Sequence, residues 1–325
     1  MGNHPDETLL VELVFKDFAT FKSQCADFPF CGVESESKLG TGNLGHVMEL
    51  ATNDVQSPTD DVRLLRIATK APTPHETPAD LLAASSHRPW PLPSRAWIMS
   101  QVWHDLAFFH WPVDIDALRL HVREPLEIDL YENEAWIGVV PFWMSGIRLR
   151  GMPPLPFVSR FAELNIRTYV RYRGRPGVLF LTLDAPYAMM NCIARCWFHL
   201  PYRKARMSVH WTANGCSFTS ERVEHGHPDA NFAVDYSPYG QAVDARPGTL
   251  DHWLTERYCL FAPHGNGTLM TADITHRPWP LQRACATIHA NTMTQGLGIR
   301  LPDVPPLVHF SKRIRALIWR PRSCA

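Results

Sequence analysis

The chain has 325 residues with 32 basic and 32 acidic side chains, so its formal net charge is zero. Hydrophobic residues make up 45% and charged residues 20%, which excludes a disordered chain, because disorder needs low hydrophobicity and excess charge. No apolar run reaches the roughly 18–20 residues that cross a bilayer, and Met1–Leu10 lacks a basic n-region. Neither a membrane span nor a signal peptide is expected, which places the chain in the cytoplasm.

Charge and aromatic residues divide the sequence. Residues 1–86 hold 6 basic and 13 acidic side chains, a net charge of −7, and no Trp or Tyr. Residues 87–325 hold 26 basic and 19 acidic side chains, a net charge of +7, with all 11 Trp and all 8 Tyr. The breaker-rich stretch Ala71–Pro78 reads as an extended linker. Residues 1–85 are therefore expected to form an acidic, weakly ordered N-terminal extension. Within it, Leu10, Val14, Phe18 and Phe21 would share one face of a helix over Thr8–Lys22. Residues 86–325 are long enough to bury a core as one domain.

At the start of that domain, His87-Arg88-Pro89-Trp90-Pro91-Leu92 recurs unchanged as His276-Arg277-Pro278-Trp279-Pro280-Leu281. Proline on both sides of each Trp predicts an extended strip with a projecting indole. The two copies read either as Trp plugs closing related ends of a barrel or as matching docking arms.

Asp114 caps a predicted short helix ending at Leu120. Leu126, Ile128 and Leu130 then alternate with polar residues. Glu132-Asn133-Glu134 is a turn, and Ala135–Leu149 runs back as a strand. Glu163–Arg171 alternates again, with Leu164, Ile166, Thr168 and Val170 on one face and Glu163, Asn165, Arg167, Tyr169 and Arg171 on the other. The polar face either lines an interior pocket or is simply wet. Gly174-Arg175-Pro176-Gly177 is expected to turn the chain into the apolar strand Val178–Leu183.

Pro186–Phe198 is a predicted helix with Pro in its first turn. Ala205–Trp211 and Cys216–Arg222 flank Asn214-Gly215, a hairpin signal. A helix is expected over Thr249–Glu256, and a further hairpin pairs Tyr258–Phe261 with Thr268–Ile274. Strands joined by turns, with few helices and little β-α alternation, predict an α+β class of mostly antiparallel β-structure.

Motifs for P-loop enzymes, zincins, α/β-hydrolases and dinucleotide-binding folds are absent. The eight cysteines read as reduced thiols. Cys192, Cys196 and His199, the set His104, Asp105 and His110, and the pair His225 and His227 have ligand-like spacing but lack a complete set of partners. No metal and no cofactor is assigned. The basic run Lys312, Arg313, Arg315, Arg320 and Arg322 reads as a solvated face, and no nucleic-acid or membrane partner is expected.

Seven segments, in order, resemble the YqjF-like family of uncharacterised bacterial proteins. They are Trp103-His104-Asp105-Leu106, His110-Trp111-Pro112-Val113, Trp136–Phe142, Leu164–Val170, His199-Leu200-Pro201-Tyr202, Ala205-Arg206-Met207 and Leu254–Tyr258. The resemblance covers about residues 86–320. That family is in turn similar to acetoacetate decarboxylase, which implies a closed, mostly antiparallel β-barrel with a few short helices and a central cavity.

In acetoacetate decarboxylase, a Lys that follows a Pro forms a Schiff base beside a second Lys, whose charge lowers the nucleophile's pKa. The matching stretch here is Pro201-Tyr202-Arg203-Lys204, so Tyr202 takes the nucleophile's place and Arg203 its neighbour's. A phenol forms no imine, and Arg stays protonated. Lys204 is displaced by two positions, which keeps the strand facing.

The resemblance and the alternation together make Glu163, Arg167, Tyr202 and Lys204 candidate catalytic residues, with Asn165, Tyr169 and Arg206 as ligand-binding candidates. Arg167 and Arg206 would pair with an anion, while Glu163, Tyr202 and Tyr169 would move or orient protons. Three functions fit. One is acid–base lyase, hydratase or isomerase chemistry on a small carbonyl or carboxylate compound, without a Schiff base. The second is non-catalytic binding or sensing of such a molecule, and the third is a structural role in assembly. Homo-oligomerisation is left open.

Overall fold

The computed structural model describes residues 76–154, 160–186, 199–212, 215–224, 226–264 and 267–324. The predicted Thr8–Lys22 helix and most of Pro186–Phe198 lie outside these residues, as does most of the Ala71–Pro78 linker. Thr77 is extended as expected of the linker, whose last residue, Pro78, opens a helix. Thr77 caps helix α1 (Pro78–Ala83) by accepting from the Asp80 amide, Asp80 reciprocates toward the Thr77 amide, and Pro78 occupies the first turn. Leu81 is buried in a cluster with Leu317 and Trp319, so ordered packing begins N-terminal to Ser86.

Strand β1 (Met99–Val113) follows. Asp114 then caps α2 (Ile115–Arg119) as expected, its side chain accepting from the Ala117 amide. The alternating residues around Ile128 supply only a two-residue strand, β2 (Glu127–Ile128). The next strands are β3 (Ala135–Leu149), β4 (Phe161–Tyr172) and β5 (Arg175–Ala185). The β4–β5 turn consists of Arg173 and Gly174, both at positive φ, with Tyr172 paired to Arg175. Pro176 and Gly177 were expected in that turn but lie within β5. Gly177 is required there for packing, because a Cβ would come within 2.6 Å of the Phe261 ring.

The chain continues through β6 (Tyr202–Thr212), β7 (Gly215–Arg222) and β8 (Asn231–Asp244). Helix α3 (Leu250–Thr255), capped by Thr249, leads into β9 (Cys259–Pro263) and β10 (Leu269–Thr275). Strands β11 (Pro280–Asn291), β12 (Leu307–Ile318) and β13 (Arg322–Ser323) complete it. All the strands join one sheet in the order β13-β10-β9-β5-β6-β7-β8-β11-β12-β1-β3-β4-β2, with further pairings of β5 to β4 and β10 to β12. The β5–β6 and β5–β9 ladders are parallel and the others antiparallel, so the described residues are mostly β, mixed in direction, with few and short helices.

Strands β1, β3 and β4 are covered on both faces. Phe109, Trp111, Ile137, Val139, Leu164, Ile166 and Val170 point into one cluster, with Phe218, Phe232 and Phe310. The alternate residues Leu106, Phe108, Val140, Phe142 and Phe161 point into another, with Trp279, Leu281 and Ile314. This explains the nearly unbroken apolar runs of β1 and β3, since a strand buried on both sides loses the period-two contrast.

The repeated hexapeptides do not sit at two separate ends. The His87 ring nitrogen lies 2.8 Å from the His276 carbonyl, and Tyr258 packs against His87, Trp90 and His276. Trp279 is buried, stacked on Trp103 and edge-on to Phe108. Trp90 is only half-buried, with the Arg175 guanidinium over its ring at 4.3 Å.

Candidate functional site

Alternation along β4 places Glu163, Asn165, Arg167 and Tyr169 on the face shared with Phe161, opposite Leu164 and Ile166. The polar face is turned inward. Glu163 is 3% exposed, Asn165 5% and Tyr169 0%, while Arg167 is half-buried. Neighbouring Phe142, Val140 and Gly138 on β3 pair with Glu163, Asn165 and Arg167 in turn.

At one end of this face, Asn165 pairs with Leu183 on β5, and Leu183 with Tyr202 on β6. Two ladder steps therefore bring Tyr202 alongside β4, where its hydroxyl donates to Glu163 Oε2 at 2.7 Å. Burial pushes the Glu163 carboxyl up to about 7, assisted by the nearby Asp184 charge. Hydrogen bonds from Tyr202 and Asn165 pull the other way and lose to desolvation. Burial and the adjacent carboxylate hold the Tyr202 phenol well above its ordinary value. Below this pair, Arg222 on β7 donates to Asp184 at 2.9 Å, an ion pair with both side chains nearly sealed from solvent.

At the other end, Gly138 leaves room for two side chains. A Cβ there would lie 3.1 Å from the His110 ring and 3.5 Å from Arg167 Cγ. His110 Nε2 is 2.7 Å from the Tyr169 hydroxyl. Burial, with Arg167 and His309 adding positive charge, lowers the His110 pKa well below its ordinary value and keeps the imidazole neutral. Arg167 spreads over the Phe108 ring at 5.1 Å. Next to His110, His309 Nε2 stands 3.0 Å from Asp251. Along this face, the buried atoms Asn165 Oδ1, Arg167 Nε, His110 Nδ1 and Trp279 Nε1 have no hydrogen-bond partner among the described residues. Groups of this kind are rarely left unsatisfied except where water or a ligand completes them.

Glu163, Asn165, Arg167, Tyr169 and Tyr202 are thus brought together, but Lys204 and Arg206 do not join them. Lys204 is exposed on β6, where its backbone amide donates to Glu224. Arg206 pairs with Glu221 at 2.7 Å, with both side chains more than half exposed. The even spacing from Tyr202 keeps them on one side of the strand, yet beyond Tyr202 that side is exposed while Ala205 and Met207 on the other side stay in the core. Lys312, the other lysine after residue 86, is exposed and paired with Asp105 at 2.6 Å.

The suggested metal sets fare as follows. His104 hydrogen-bonds Ser145 and stacks on Trp143, while Asp105 takes Lys312 and Trp143. His199 packs against His264, and Cys192, Cys196 and His225 lie outside the described residues. Among the described residues, no three His, Cys, Asp or Glu side chains could hold a metal ion. Among those residues also, no helix is long and apolar enough to cross a membrane. An open depression beside α2, lined in part by Asp114, Arg119, Glu134 and Arg300, contains none of the candidate residues.

Sequence reasoning missed the His110–Tyr169 contact, the His309–Asp251 pair and the Asp184–Arg222 pair. Each joins elements far apart in the chain, and no local spacing announces it.

The chain is 42% identical over 228 residues to the uncharacterized protein YqjF of Bacillus subtilis (strain 168), covering 70% of this chain and 93% of that one. Among solved structures it is similar to the enduracididine biosynthesis enzyme MppR, with a TM-score of 0.49, 12% identity and coverage of 72% and 92% of the two chains. It is also similar to an acetoacetate decarboxylase, with a TM-score of 0.48, 15% identity and coverage of 75% and 97%. With residues 100–315 matching the family model and YqjF a close relative, the chain belongs to the DUF2071 family of uncharacterized conserved proteins.

Proposed function

We propose that the protein binds a small carbonyl or carboxylate compound against the polar face of β4 and transfers protons on it by acid–base chemistry, without a Schiff base. The observation that carries this is the bond at 2.7 Å between the half-buried Tyr202 and the buried Glu163, whose carboxyl is raised to about 7. A carboxyl that titrates near neutrality serves as both proton donor and proton acceptor, the property general catalysis needs. Arg167, half-buried on the same face, supplies the charge for an anionic substrate. Tyr169 and the neutral His110 orient the opposite end. This chemistry covers lyase, hydratase and isomerase reactions.

The same reading includes a closed barrel. It is supported by the extra ladders of β5 with β4 and β10 with β12, which tie strands otherwise distant in the sheet order. The inward face of β4 would then line the interior.

A screen of carbonyl acids by thermal shift, followed by turnover assays on each hit, tests the proposal. Glu163→Gln is expected to keep binding and to lose turnover by a factor of about 10²–10⁴, the usual contribution of a positioned acid or base. Tight binding with no turnover by the wild type would favour a carrier or sensor, and the buried unpaired Asn165 Oδ1 and His110 Nδ1 fit that reading equally well.

A further inference from the structure

Away from Glu163, Asp273 on β10 is 2% exposed and faces three guanidinium groups. Arg175 donates to its Oδ1, Arg88 Nη2 lies 3.9 Å from the same oxygen, and Arg95 Nη2 lies 4.0 Å from the other. One carboxylate offsets one charge, so two positive charges remain. Among the described residues, Asp273 is the one carboxylate within ion-pair distance of these three arginines.

The Arg88 side chain has no exposed surface. Its Nη1 donates to the Ile274 carbonyl at 2.5 Å, but among the described residues Nε and Nη2 make no hydrogen bond. Arg95 Nη2 and Arg175 Nε are likewise sealed from water and make no hydrogen bond among the described residues. The rings of Trp90 and Tyr258 lie 5.7 Å and 5.0 Å from the Arg88 guanidinium and present their π-faces to it. Arg320 and Arg322 add to the positive field at Arg95. An enclosed guanidinium with unmatched charge and unmade hydrogen bonds is strongly unfavourable unless an anion completes it.

We propose that Arg88, Arg95 and Arg175 around Asp273 bind a doubly charged oxyanion of the phosphate type. Two missing negative charges match a phosphate dianion, and forked N–H donors suit tetrahedral oxyanions. The Arg95 and Arg175 side chains, 35% and 24% exposed, open the site to solvent, while Arg88 forms its floor. In this arrangement the first hexapeptide copy supplies a ligand through Arg88. The corresponding Arg277 of the second copy instead pairs with Glu76.

Titration calorimetry of inorganic phosphate into the full chain at constant ionic strength tests this, with chloride and acetate as controls. Saturable phosphate binding is expected, with no response to chloride and weaker binding of acetate. Arg95→Gln and Arg175→Gln, both at partly exposed positions, should each weaken phosphate by about tenfold, the value of one charge-assisted hydrogen bond. Glu163→Gln should leave the affinity unchanged, which separates this site from the proposed active site. Glycerol 3-phosphate binding more tightly than phosphate would point to a phosphorylated small molecule, and weaker binding to free phosphate. Absence of saturable phosphate binding, equal affinity for acetate, or an affinity unmoved in both arginine variants would each overturn the proposal.

Discussion

Tyr202 and Glu163, 39 positions apart, meet at 2.7 Å because a parallel ladder between β5 and β6 carries the phenol alongside β4. The hydrogen bond favours the charged carboxylate and desolvation opposes it. Removing the phenol leaves desolvation with one less opponent. In Tyr202→Phe the Glu163 pKa should therefore rise above its wild-type value of about 7. Carbon-13 NMR titration of labelled glutamate measures it directly. An unchanged or lower value would mean that the hydrogen bond does not form in solution.

The same carboxyl makes stability depend on pH, with a definite sign. Glu163 titrates near 4.5 when unperturbed and near 7 in the fold, so between these values the folded state binds the extra proton. Its contribution is fully present below pH 4.5 and is lost as the pH climbs through 7, an effect of roughly 3 kcal/mol at about 1.4 kcal/mol per pH unit. Glu163→Gln cannot titrate, so its stability relative to wild type should improve from pH 5 to pH 8. Urea unfolding at a series of pH values would show this, and parallel curves for the two proteins would contradict it.

The candidate site was half legible in the sequence. The polar stripe of β4 could be read because one of its faces is uniformly apolar, and period two then groups Glu163, Asn165, Arg167 and Tyr169. Whether that stripe faced inward could not be read, because strand alternation does not say which side another layer covers. Strand β1 went unassigned for the opposite reason. Burial on both faces erases its alternation, and Asp105 at positive φ, beside a register shift against β3, breaks the period midway. Lys204 and Arg206 share the facing of Tyr202, but facing does not tell where a strand emerges into solvent. His110 was noticed for its neighbours in sequence, while its partner Tyr169 stands 59 positions away across two ladders.

The two hexapeptide tryptophans should respond unequally to truncation. Trp279 is 3% exposed among Trp103, Phe108 and His276, so Trp279→Ala should cost about 3–5 kcal/mol. Trp90 is half-buried, held by Tyr258 and a cation–π contact with Arg175, so Trp90→Ala should cost about 1–2 kcal/mol. Chemical denaturation of the pair decides. Equal losses would mean that the copies play equivalent structural parts.

Helix α1 contributes to the core although it precedes the aromatic-rich region. Leu81 is 1% exposed against Leu317 and Trp319, and Leu81→Ala should cost about 2–5 kcal/mol. Deleting residues 77–85 should lower the melting temperature at least as far as this substitution does. A deletion with no thermal effect would show that the contact adds nothing to the fold.

Imine chemistry provides the last test. A Schiff-base lysine must present a neutral amine in an enclosed, positively biased pocket, so that its pKa falls toward neutrality. Here the Tyr202 phenol is held protonated by burial and by Glu163, and a phenol forms no imine. Lys204 is exposed, and Lys312 lies at the surface paired with Asp105. Neither amine stands in an enclosed pocket. Borohydride added with acetoacetate should therefore leave the protein mass unchanged, whereas Glu163→Gln should still abolish any proton-transfer turnover found in the carbonyl-acid screen. A stable adduct mapped to Lys204 by peptide mass spectrometry would restore the covalent mechanism. It would also require β6 to shift enough to bring that side chain to the polar face of β4.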